Sequence, residues 1–134
     1  MTEGAVPPEL RYTRSHEWIR TVGDEATVGI TDHAQQELTD VVFVDLPKLG
    51  ATVNAEGSVM VIESVKTVAD VYAPFGGTVS AVNESLRAHP ELVNRAPYGD
   101  GWLFRIRVQP PGQLVATLSA DEYRKFVAVA SPGP

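Results

Sequence analysis

A mainly β fold is what this sequence predicts: two facing antiparallel sheets of short strands, a sandwich or flattened barrel, with helices as accessories. Three observations carry that expectation. Short runs rich in Val, Ile, Thr and aromatic residues recur along the chain, the composition of half-buried strands. Clusters of Gly, Pro, Asn and Asp separate those runs at roughly 8–12-residue spacing, which is turn punctuation for an all-β domain. Finally, Gly50-Ala51-Thr52-Val53 is echoed by Gly76-Gly77-Thr78-Val79, with Lys66 standing 13 positions from Val53 and 13 from Val79. That symmetry suggests two related halves facing each other, with a lysine displayed between them.

Taken in order, residues 1–11 read as a loose lead-in to a single domain over 12–128. Glu17-Trp18-Ile19-Arg20 and Ala26-Thr27-Val28-Gly29-Ile30 form a hairpin across Val22-Gly23-Asp24-Glu25. Thr31-Asp32 offers an N-cap for a short helix through Leu38. Val41 to Leu46 is a β-branched and aromatic strand stopped by Pro47 and Gly50. Thr52-Val53, then Val59 to Glu63, lead to the Lys66 tip, and Val68 to Ala73 is the return strand. Pro74-Phe75-Gly76-Gly77 turns the chain into Thr78 to Val82. Asn83 is placed to cap a helix over Glu84 to Ala88. Pro90 to Gly101 reads as irregular, ending in the turn cluster Pro97-Tyr98-Gly99-Asp100-Gly101. Trp102 to Val108 is the last strand. A helical turn is expected near Gly112 to Thr117. Ser119 with Glu122 is a capping-box pattern opening a helix through about Ala128, and 129–134 is a frayed tail.

Composition narrows the function. With 134 residues, 43% hydrophobic and 21% charged, the chain fits one ordinary globular domain. No apolar run approaches the roughly 18 residues that span a bilayer. The start, Met1 to Glu9, lacks the basic and apolar regions of a signal peptide and carries acids a transit peptide avoids. A cytoplasmic protein, most simply bacterial, is the expectation. Seventeen acids against 11 Lys and Arg give −6, which argues against nucleic acid and suits either solubility or docking on basic surfaces. The absence of cysteine excludes disulfide frameworks and thiolate metal sites. It also suits a protein that handles a disulfide on a cofactor, because a neighbouring thiolate would attack it.

Lys66 is the residue that chemistry singles out. Hairpin tips are usually built from Asn, Gly or Asp, which tolerate positive φ. This tip offers Val65, Lys66 and Thr67, and overruled turn chemistry marks a functional site. Other chemistries are poorly served. There is no Gly-x-Ser-x-Gly elbow, and Ser15-His16-Glu17 are consecutive, so on a strand their side chains alternate faces and form no relay. His16, His33 and His89 are scattered and read as structural or surface residues, with no metal pair among them. Gly76-Gly77 lacks the Lys-Ser/Thr of a phosphate loop. Glu63 and Asp70 read as solvated strand-end charges or as flanks of the tip, and Phe43 and Trp102 read as core.

Glu63-Ser64-Val65-Lys66, followed by Thr67-Val68-Ala69-Asp70-Val71-Tyr72-Ala73-Pro74, closely resembles the lipoylation segment of the glycine cleavage system H-protein family. Ser15-His16-Glu17-Trp18, Val28 to Gln35 and Val41 to Pro47 resemble further segments of that family, in its order. So do Asn94-Arg95-Ala96-Pro97-Tyr98-Gly99-Asp100-Gly101-Trp102 and Glu122-Tyr123-Arg124-Lys125-Phe126. The match covers about residues 10 to 127, and Thr67 stands where the family often has Ala.

The resemblance implies a lipoyl-domain-like barrel-sandwich hybrid with an added C-terminal helix. It implies a monomeric, non-catalytic carrier with lipoate attached covalently to Lys66. Ser15, Glu17 and Asp70 match positions that line the cleft sheltering the arm. The implied partners are a lipoate-attaching enzyme, a pyridoxal-phosphate glycine decarboxylase that loads the aminomethyl group, a folate-dependent aminomethyltransferase that unloads it, and dihydrolipoamide dehydrogenase. Four alternatives stand beside that reading. They are a relay of lipoate to other enzymes, a biotinyl-type carrier, a lipoyl domain of a 2-oxoacid dehydrogenase, and a non-lipoylated interaction protein that keeps the fold. Val65 and Thr67 speak against the biotinyl carrier, since those domains flank their lysine with methionines.

Overall fold

Each predicted strand run forms a strand, and the turn clusters place them in two separate sheets. The computed structural model describes residues 5–109 and 117–130. In chain order the elements are β1 (Arg11–Tyr12), β2 (Glu17–Val22), β3 (Glu25–Ile30), α1 (Asp32–Leu38), β4 (Val41–Asp45), β5 (Thr52–Val53) and β6 (Ser58–Ser64). Then come β7 (Val68–Tyr72), β8 (Gly77–Val82), α2 (Ser85–Ala88), α3 (Leu92–Arg95), β9 (Phe104–Val108) and α4 (Ala120–Ala130). One sheet has six strands in the order β1-β2-β3-β9-β8-β5; the other has three, β4-β6-β7. The paired strands are antiparallel throughout, and the two sheets do not close into a full barrel.

The core lies between the sheets. Val28, Ile30, Phe104 and Ile106 from the larger sheet meet Val44, Met60, Ile62 and Val71 from the smaller one. Period-2 alternation explains the choice: Val44 and Ile62 pair and point inward, while their neighbours Phe43 and Glu63 pair and point outward. A second cluster, Leu10, Tyr12, Trp18, Leu118 and Tyr123, holds α4 against β1 and β2. Trp18 pairs with Gly29, where any Cβ would overlap the indole ring. Trp18 donates from Nε1 to the Pro97 carbonyl at 2.8 Å.

Helix ends follow their caps. Thr31 accepts from Ala34 N at the start of α1. Ser119 and Glu122 form the expected reciprocal box at α4, through Glu122 N to Ser119 Oγ and Ser119 N to Glu122 Oε1.

Several expectations are corrected. The near-repeats are not facing halves: β5 and β8 pair directly at the edge of one sheet, Thr52 opposite Thr78 and Val53 opposite Gly77. Gly77, at φ +156°, admits no side chain there because the Arg107 carbonyl occupies the space. The lead-in is not loose from Ala5 onward. Tyr98 donates to the Ala5 carbonyl, Arg124 to that of Val6 and Tyr12 to that of Pro7, and Leu10 is buried. Asn83 does not cap α2; its side-chain amide donates to the Asp100 and Trp102 carbonyls instead. The stretch expected to be irregular contains α3, four residues long and ended at Ala96. Phe43 is 51% exposed rather than core, and Trp102 is half-buried with the Arg105 guanidinium 4.4 Å above its ring. The helical turn expected over 112–117 falls almost wholly outside the described residues, as does the tail over 131–134.

Candidate functional site

The β6–β7 hairpin ends in Glu63 opposite Val68, leaving Ser64 to Thr67 as the tip. Here the structure answers the puzzle of a tip without Gly or Asn. Ser64 Oγ accepts from the amides of Lys66 (3.2 Å) and Thr67 (3.0 Å), and Ser64 N donates to the Thr67 carbonyl at 2.8 Å. A side-chain oxygen thus replaces the backbone geometry that a left-handed residue would supply. Among the described non-glycine residues φ is positive only at His16, Thr39 and Glu56, so the tip needs no left-handed position. Val65 N donates to the Asp40 carbonyl at 3.0 Å, which ties the tip to the start of β4. Asn94 secures that start in turn, accepting from Val41 N at 2.8 Å and donating to the Thr39 carbonyl at 2.7 Å. Lys66 is exposed on a braced loop, and among the described residues it joins no ion pair.

At the other end of β7 lies a cleft of about 440 Å³, lined by Thr13, Arg14, Ser15, Glu17, Glu56, Tyr72, Ala73 and Pro74. Its floor is Glu17, 1% exposed. One carboxylate oxygen, Oε1, accepts from Thr13 Oγ1 (2.5 Å) and Ser15 Oγ (2.6 Å); the other, Oε2, accepts from Tyr72 N at 3.1 Å. The last bond joins the two sheets, since Glu17 opens β2 and Tyr72 closes β7. All three donors are neutral. Among the described residues no cation forms an ion pair with this carboxylate.

The predicted cleft residues therefore separate. Ser15 and Glu17 are hydrogen-bonded in the cleft. Asp70 is not among its lining residues: it lies on the outward face of the smaller sheet, accepting from Ser58 Oγ at 2.8 Å. Asp70 stands between the tip and the cleft on the same strand. Lys66 to Tyr72 is six residues, about 20 Å at strand rise. Glu63 is exposed beside the tip.

Sequence reasoning missed Ser64 as the brace, and Thr13 and Tyr72 as partners of Glu17. Thr13 and Ser15 reach Glu17 through a turn, with His16 N donating to the Thr13 carbonyl, so strand spacing was no guide to them, and Tyr72 gave no signal. Ser15-His16-Glu17 do not form the strand that alternation assumes: Ser15 and His16 lie in a turn before β2, and the turn puts Ser15 on the Glu17 carboxylate. His16, at φ +73°, turns away from the cleft to hydrogen-bond Tyr123 OH at 2.7 Å, and its ring lies 4.8 Å from that of His33. Among the described residues no group of three or more His, Cys, Asp or Glu is placed to hold a metal. No helix among them is long and apolar enough to cross a membrane.

Comparison with known proteins places this geometry in context. The family model described as glycine cleavage H-protein matches residues 10–130. A glycine cleavage system H protein of Rubrobacter xylanophilus is 54% identical over 120 residues, spanning 90% of this chain and 93% of the relative. That of Pseudoalteromonas atlantica is 51% identical over 123 residues, spanning 91% and 95%. The crystal structure of a glycine cleavage system H protein from Mycobacterium marinum superposes with a TM-score of 0.82 at 38% identity, covering 90% of this chain and 97% of that one.

Proposed function

The chain belongs to the glycine cleavage H-protein family, and on that premise we propose that it is a non-catalytic lipoyl carrier with lipoate joined as an amide to Lys66. The observation that carries the reading is the exposed lysine on a tip braced by Ser64. The chain has three lysines; Lys48 lies in the loop after β4 and Lys125 on α4, so only Lys66 ends a hairpin. The residues fit the group: the amine is accessible, and the tip backbone is fixed without occupying the space beyond it.

When attached, lipoate supplies a disulfide that is reduced as it accepts the aminomethyl group derived from glycine. The chain's own part is presentation and shelter. Tethering at Lys66 replaces free diffusion between the decarboxylase, the aminomethyltransferase and dihydrolipoamide dehydrogenase with a high effective concentration at each. With bonds of about 1.5 Å a lipoyl-lysine would extend about 14 Å from its Cα, beyond Asp70 and about 6 Å short of Tyr72, a gap that the aminomethyl load would narrow at the Tyr72 end of the cleft. There the Glu17 carboxylate, held out of water by neutral donors alone, is a fitting acceptor for an ammonium on the load. Asp70 then serves as an acidic waypoint rather than as part of the floor. The cytoplasm is the compartment in which we propose that the partner enzymes are met.

Intact mass tests the site. Protein made with lipoate available gains one lipoyl increment, and Lys66→Arg gains none while keeping its stability within about 0.5 kcal/mol. A lipoyl increment on the arginine variant would overturn the assignment.

A further inference from the structure

The outward face of the three-stranded sheet leaves apolar side chains uncovered. Phe43 is 51% exposed, Val42 53% and Val68 62%. Register sets Phe43, Glu63 and Val68 in one row across β4, β6 and β7, the last full row before the tip. A β-bulge between Val41 and Phe43 inserts Val42, so two consecutive apolar residues face outward. The next row is Asp45, Val61 and Asp70. Among the described residues no Lys, Arg or His pairs with Asp45, Glu63 or Asp70. An aromatic centre inside an uncompensated acidic rim is the pattern of a docking face for a basic-rimmed partner. By contrast, Val22 and Leu49 are exposed away from this sheet, which is ordinary for a protein surface.

We infer that this face, centred on Phe43, docks the enzyme that attaches lipoate to Lys66, through an apolar socket rimmed by Lys and Arg. The inference rests on the carrier reading above and adds the surface by which the tip is recognised. Reach selects this partner over those that act later. The attaching enzyme must touch Nζ itself, about 6 Å beyond the backbone, given C–C bonds of about 1.5 Å. Its surface therefore has to seat on residues within roughly 10 Å of the tip, two strand spacings, where Phe43 and Val68 lie. Enzymes that meet the loaded end of the arm have no such need. In the attachment step Nζ bonds to the lipoyl carboxyl carbon as that carbon's bond to AMP breaks, and the amine gives up a proton. A face that holds the tip still while this happens lowers the KM for the carrier.

The test uses the purified full chain, a lipoate-attaching ligase, lipoate and ATP, with initial rates read by intact mass. Phe43→Ser is expected to lower kcat/KM about tenfold, carried by KM, as loss of an aromatic anchor does. Val68→Ser is expected to lower it about threefold. Val22→Ser should match the parent. Melting curves check folding, and if Phe43→Ser fails to fold, Val68→Ser with Asp45→Lys decides the matter on the same face. Parental rates in the face variants would overturn the proposal. So would a dimer of the parent chain that Phe43→Ser dissolves, which would assign the face to a second copy. Normal lipoylation of Phe43→Ser with weakened decarboxylase binding would assign it to that enzyme and overturn the proposal equally. The carrier reading fails separately: no mass gain on the parent, or a gain on Lys66→Arg, overturns that reading and the docking face with it.

Discussion

Glu17 shows how much one side chain does in this fold. Its carboxylate accepts from Thr13, Ser15 and the Tyr72 amide, and by the last bond it spans the two sheets. Removing the charge replaces charge-assisted bonds with neutral ones and, with the amide oxygen kept on Tyr72 N, forces the Thr13 and Ser15 hydroxyls to turn from donors to acceptors. Glu17→Gln should therefore lower unfolding free energy by about 1–3 kcal/mol in urea titrations. It should also hasten loss of formaldehyde and ammonia from the loaded protein, while lipoylation of Lys66 proceeds as in the parent. Unchanged stability would mean that Thr13, Ser15 and Tyr72 are satisfied without the carboxylate. These bonds were not legible in the sequence, because Thr13 and Ser15 reach the carboxylate through a turn and the decisive partner, Tyr72, is 55 positions away. Lys66 was legible because its neighbours break the rules of hairpin tips. The residue that resolves the breach, Ser64, looked like any other strand-end serine.

Among the elements, α4 depends on a contact that responds to pH. Tyr123 bridges His16, at the mouth of β2, and Thr31, the cap of α1, and Phe126 packs on the same imidazole. Burial, and then the neighbouring His33, hold the His16 pKa below its ordinary 6.5; Glu37 on α1 opposes them, and Tyr123 faces the ring from α4. The unfolded chain therefore takes up this proton first. The contribution of His16 to stability is full above pH 6.5 and is lost as pH falls below that value toward the lowered folded pKa. Thermal midpoints measured from pH 7.5 down to about 5.5 should fall less steeply in His16→Asn, which keeps the left-handed backbone but does not titrate in that range. Equal slopes in the two proteins would exclude His16 as the source.

Element type was readable wherever periodicity ran for five residues or more, as in β2, β3, β6 and β9. It failed at α3, whose four residues are too few to show a period, and at Phe43, where a bulge sets exposure independently of composition.

For the molecule as a whole, charge sets the range over which partners are felt. The chain carries −6 overall, and the proposed lipoylation of Lys66 would remove a further positive charge at the tip, beside Glu63 and before the strand of Asp70. Binding to the decarboxylase should weaken as salt rises through the physiological range, where the Debye length is about 8 Å. A dissociation constant indifferent to salt would show that apolar contact alone makes that interface. The placing of β9 has a further consequence, for synthesis. This strand lies in the middle of the larger sheet, between β3 and β8, yet it is the last strand of the chain. The Lys66 hairpin pairs locally and leaves the ribosome ahead of β9, with two of the six strands of the facing sheet, β8 and β9, still untranslated. At roughly 5–20 residues per second, the nascent hairpin waits several seconds for β9 to emerge. The strands of the face centred on Phe43 are thus all made before β9, but their inner side has no complete sheet to pack on until β9 is in place.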